Sequence, residues 1–98
     1  MIKVKITKNH LEVSGHARYD DYGKDIVCAA VSSIVITSVN GILKIDKNAL
    51  KYKEDEGFIK IDIIEVTETT EKLLENMIEM LIELEKDYPK NIKIYKEV

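Results

Sequence analysis

Cys28 is the single thiol among 98 residues, and only two imidazoles, His10 and His16, are available to activate it. A thiol becomes a nucleophile when a base or positive field favours its thiolate, when substrate can reach it, and when donors await the oxyanion. The stretch from Gly15 to Cys28 holds groups for all three tasks. Asp25 is a good helix N-cap, which would put Cys28 in the first turn of a helix. Unpaired N–H groups and the macrodipole favour a negative sulfur there, and the same N–H groups could hold a tetrahedral oxyanion. His16 leaves a strand end just before the loop that leads into this helix. That loop is long enough to fold back and bring imidazole to sulfur. Asp25, Cys28 and Ser32 recur at i, i+3 and i+7, on one helix face. Asp25 could cap the helix or orient His16, and Ser32 could donate near the site or bond back to a helix carbonyl. Taken alone, a lone cysteine also packs well as a small hydrophobe, so a structural Cys28 stays open on these residues.

Composition narrows the classes. One cysteine rules out an intrachain disulfide. Cys28, His10 and His16 are too few soft ligands for four-coordinate zinc, so no metal or cofactor is expected. His10 falls at a hairpin turn on this reading and is expected to be a surface histidine. The chain is 45% hydrophobic and 34% charged, with a net charge of −3. That balance shows no basic patch, so direct nucleic-acid binding is not expected. The longest nearly uncharged stretch, Ile26 to Leu43, is too polar and slightly short for a membrane span, so no membrane partner is expected either. Met1-Ile2-Lys3-Val4-Lys5 lacks the apolar run of a signal peptide, which points to the cytoplasm. The length fits one domain over residues 1–98.

The elements that must position these residues follow from periodicity. Ile2 to Ile6 and His10 to Ser14 alternate apolar and polar, as two strands of a hairpin do. The segment from His16 to Gly23 reads as an exposed loop. From Asp25 the β-branched residues favour strand, but the run is too long for one, and the small residues suit a buried helix ending near Asn40-Gly41. Lys44 to Lys53 and Phe58 to Ile64 read as strands joined at Glu54-Asp55-Glu56-Gly57. A second helix spans Glu68 to Asp87, with Leu74, Met77, Ile78, Leu81, Leu84 and Tyr88 as its apolar stripe and Pro89 as its stop. Its Met77 and Met80 read as core filler or dimer contacts, and its acid-rich face as solvated. Ile92 to Tyr95 forms a last strand. The order ββαββαβ, without a regular βαβ repeat, makes the class α+β: a small sheet packed with a buried central helix and a second amphipathic helix.

Gly15-His16-Ala17, a short loop, and then Gly23-Lys24-Asp25-Ile26-Val27-Cys28-Ala29-Ala30-Val31-Ser32 closely resemble the signature of the ribosomal-processing cysteine protease family, Prp. The element order fits as well. The resemblance implies a thiol protease with Cys28 as nucleophile and His16 as general base, supported by Asp25 and Ser32. It further implies removal of a short N-terminal extension from the large-subunit ribosomal protein numbered twenty-seven, and a homodimer. Family substrates carry aromatic residues before the cut and basic residues after it. Tyr19 and Tyr22 could pack on the former while Asp20 and Asp21 attract the latter, or all four could make a solvated loop. The small Gly15, Ala17 and Gly23 would let an extended peptide come close to the backbone. The main rival reading is a non-catalytic ribosome-associated binding module in which Cys28 is structural. A thiol hydrolase of small esters or amides would use the same residues.

Overall fold

Alternation along each strand sorts its side chains between a covered and an open face of one sheet. The computed structural model of the chain describes residues 1–15 and 25–97. In β1 (Ile2–Ile6), Ile2, Val4 and Ile6 are buried while Lys3 and Lys5 are exposed. β2 (His10–Ser14) buries Leu11 and Val13, and β4 (Phe58–Ile63) buries Ile59 and Ile61. β3 (Leu50–Asp55) and β5 (Ile92–Lys96) each bury their first residue and complete the sheet. The spatial order is β3-β4-β2-β1-β5, with β1 and β5 parallel and all other neighbours antiparallel. Helices α1 (Ile26–Ile45) and α2 (Glu68–Asp87) pack on one face, and a single apolar cluster fills the space between the layers. The α+β class and the ββαββαβ order stand as expected.

The helix α1 runs past the predicted stop at Asn40-Gly41. Its buried positions Val27, Val31, Val35, Val39 and Ile42 form one stripe that crosses Gly41. Burying Ile42 is worth about 1.5–3 kcal/mol, against roughly 1 kcal/mol for a glycine inside a helix. Asp46 ends the helix instead, its N–H donating to the Ile42 carbonyl at 2.9 Å. Consequently Lys44 and Ile45 are helical, and β3 begins at Leu50 rather than Lys44. The extension also makes α1 long and apolar enough to cross a membrane, more than the sequence reading allowed. In this fold its stripe packs into the core between the helices and the sheet.

The α2 stripe is divided. Thr70, Leu74, Met77 and Leu81 are buried, whereas Ile78, Leu84 and Tyr88 pack on the core's margin. Met80 is exposed, so only Met77 is core. The two helix N-termini lie at opposite ends of the sheet, α1 beyond the end of β2 and α2 beyond the end of β4, since those strands are antiparallel.

Candidate active site

Asp25 holds the start of α1. Its backbone is extended, and Oδ1 accepts hydrogen bonds from the Val27 N–H at 2.9 Å and the Cys28 N–H at 3.0 Å. The Asp25 carbonyl accepts from the Ala29 N–H at 3.1 Å. Of the two roles open to Asp25, the structure shows capping. The cap fixes the phase of the first turn: Val27 faces the core and Cys28, next in sequence, is half-buried beside it. It also changes the electrostatics. The Val27 and Cys28 amides, expected to hold an oxyanion, are bonded to a carboxylate that offsets part of the helix's positive end. Ile26 is the first-turn amide that Asp25 does not engage.

Cys28 opens onto a cleft of about 260 Å³. Ser32, one turn further and exposed, lines the same wall as Cys28, and Asp25 meets the Cys28 N–H through the cap. The α1 hydroxyl that bonds back to a carbonyl is Ser38, donating to Ile34 at 2.7 Å. The facing wall is the β3–β4 hairpin tip, Glu54 to Phe58, which sequence reasoning missed as part of a site. Three consecutive acids before a glycine marked a turn, but nothing local says which part of the molecule that turn meets. Glu54 is held by the Tyr52 hydroxyl, whose pKa rises to about 12 through burial first and the Glu54 carboxylate second. Asp55 accepts from the Glu56 N–H at 2.7 Å.

Gly15 ties the end of β2 to the hairpin tip. Its N–H donates to the Gly57 carbonyl at 3.0 Å, its φ is +89°, and a Cβ there would lie 2.5 Å from the Met1 carbonyl oxygen. The chain's own backbone therefore requires this glycine, whatever a peptide needs. His16, Tyr19, Asp20, Asp21 and Tyr22, like Ala17 and Gly23, lie outside the described residues.

His10 belongs to the other end of β2, roughly 16 Å from Gly15 at about 3.3 Å per residue. It is not on a turn tip but is the first residue of the strand, its ring clasped by Glu12 at 2.9 Å and Asp62 at 2.7 Å. The two carboxylates, Glu12 foremost, raise its pKa. Among the described residues, no cluster of three or more His, Cys, Asp or Glu side chains could hold a metal ion.

A half-buried thiol at a capped helix start faces an open cleft. Residues 1–93 match the family model described as cysteine protease Prp. The chain belongs to the Prp family. It is a cysteine protease by that membership. The ribosomal processing cysteine protease Prp of Bacillus subtilis strain 168 is 29% identical, with 96% of each chain covered. That of Staphylococcus aureus strain Mu50 is 30% identical, covering 96% of this chain and 97% of the relative. Among solved structures, S. aureus Prp with a covalently linked product peptide superposes at a TM-score of 0.93, with 28% identity over 99% of this chain and 100% of that one. The same enzyme with a substrate peptide gives 0.87, at 27% identity and the same coverage.

Proposed function

We propose that this chain is a ribosomal-processing endopeptidase acting in the cytoplasm as a homodimer, with Cys28 as nucleophile and His16 as general base. The observation that carries the reading is that the only cysteine of a Prp-family chain sits in the first turn of α1 and lines an open cleft. His16 takes the thiol proton, the thiolate attacks the scissile carbonyl, and imidazolium protonates the leaving amine. Water then hydrolyses the acyl-enzyme. Because Asp25 occupies two first-turn amides, the Ile26 N–H and the Ser32 hydroxyl are the oxyanion donors in this proposal. The bond cut is the one that releases a short N-terminal extension from the large-subunit ribosomal protein numbered twenty-seven. The acids at Glu54, Asp55 and Glu56 support a substrate with basic residues near the cut, through the local field of the cleft.

The test is to incubate the protein with a peptide spanning the extended N-terminus of its own ribosomal protein and to read the products by mass spectrometry. A single cut, absent in Cys28→Ala and His16→Ala, is the expected result. Replacing the peptide's basic residues by glutamine should slow it. No cut by folded, reduced wild type would remove this substrate. Thiol alkylation indifferent to His16→Ala would favour the non-catalytic binding module.

A further inference from the structure

The sheet's open face carries a charge opposite to that of the whole chain. Strand register places side chains in rows across it. One row runs Lys93–Lys3–Ser14–Phe58–Asp55, and the next runs Tyr95–Lys5–Glu12–Lys60–Lys53. A third holds His10–Asp62–Lys51. Six lysines stand against three carboxylates, a formal +3 on a chain of net −3, so the remainder carries −6. Among the described residues no salt bridge engages any of the six lysines, while the central Glu12 and Asp62 are both taken by His10. Lys51, Lys53 and Lys60 also line a shallow concavity with Asp62 and Tyr52.

Two of the cross-strand partners, Lys3↔Lys93 and Lys53↔Lys60, are like charges directly opposite one another. Such pairs destabilise a sheet. Lysines on the edge strands guard against unwanted pairing, but Lys3, Lys5 and Lys60 stand on inner strands, where that purpose does not apply. A polyanion laid across the rows would relieve both repulsions. Tyr95, 43% exposed, offers aromatic surface within the lysine rows, and Phe58, 36% exposed, does so where the first row meets the Cys28 cleft, as sheet platforms for unstacked bases do.

We infer that the open sheet face binds single-stranded RNA, its lysines on the phosphates and its aromatics against bases. The face itself calls for a flexible polyanion with stacking groups; the choice of RNA rests on the ribosomal role proposed above. The inference reverses the expectation from net charge, because the pleat segregates charge that the total hides.

The test uses the full chain carrying Cys28→Ala, so that its outcome is separate from catalysis. Anisotropy of a labelled oligouridylate of about 12 nucleotides is followed over a range of salt concentrations. Binding should weaken as salt rises. Lys53→Glu with Lys93→Glu turns both repulsive pairs attractive, so the melting temperature should hold or rise. The same double variant should bind RNA at least about tenfold more weakly, with a log–log salt slope smaller by about 1.4. In a Cys28 background it should hydrolyse peptide at the wild-type rate. No binding up to about 100 µM protein, or unchanged affinity in the double variant, would overturn the inference. Equal competition by polyglutamate would assign the face to an acidic protein instead, and salt-sensitive self-association without RNA binding would assign it to a second copy.

Discussion

Each end of the sheet carries one helix N-terminus above a concavity, and of the two only the one at α1 is lined by the thiol. At the α2 end, Thr67 and Thr70 form a neutral capping box: each side chain accepts from the other's backbone N–H. Thr70 is fully buried, and Glu68 and Glu71 in the first turn compensate the dipole. The nearby concavity, about 180 Å³, is lined by Ile6, Leu11, Ile63 and Val66 among others and holds no thiol. At the α1 end one carboxylate, Asp25, both caps and compensates, and the first turn has no acid of its own. That economy leaves the third helical position for Cys28. The two ends solve the same problem of unpaired amides, so α2 serves as an internal control for what belongs to folding and what to the site.

The largest effect should come from Gly15. Gly15→Ala forces a Cβ onto the Met1 carbonyl at a left-handed φ and should cost at least about 2 kcal/mol in urea denaturation. It should also loosen the hairpin tip from the cleft, lowering kcat/KM more than that loss predicts for any residue at the α2 end. A neutral outcome would mean the Gly15–Gly57 link does not organise the cleft.

Next come the caps, compared in parallel. Asp25→Ala and Thr67→Ala should each cost about 1 kcal/mol. Only Asp25→Ala should cut peptide hydrolysis, on the order of 10–100-fold, by misplacing Cys28. Asp25→Asn should restore most of the stability, since asparagine caps as well as aspartate. Equal loss of hydrolysis in Thr67→Ala would make the effect a global one and erase the contrast between the ends.

The smallest effect lies at the α2 end of β2. Glu12 and Asp62 raise the His10 pKa, so its contribution is complete below the unfolded value of about 6.5 and is lost as pH rises through the raised folded value. Asp62 is lowered, chiefly by its hydrogen bond from His10, so its contribution is complete above an unfolded value of about 3.9 and fades as pH falls through the lowered one. The stability difference between wild type and His10→Gln should therefore peak between about pH 4 and 6.5 and shrink in alkali. Hydrolysis should be untouched by His10→Gln at any pH. A lost step in the pH–rate profile would bring His10 into the chemistry after all.

Much of the fold was legible because its signals are local. Alternation reports which face of a strand is buried, and the apolar stripe from Leu74 to Leu84 reports a helix without reference to the rest of the chain. The Asp25–Cys28–Ser32 arrangement was readable for the same reason: an N-cap and the turns after it are set by neighbours within seven residues. What was misread depended on distant partners. Gly41 looked like a stop until the core took Ile42, and His10 looked like a turn residue until Asp62, 52 positions away, closed on its ring. The hairpin tip faces Cys28, Gly15 meets Met1, and six lysines share one surface only because β4 lies beside β2 and β5 beside β1. Local patterning determined the secondary elements, their buried faces and the setting of the thiol. Strand order and register, which depend on the packing of the whole core, decided what that thiol faces and how the charge is divided.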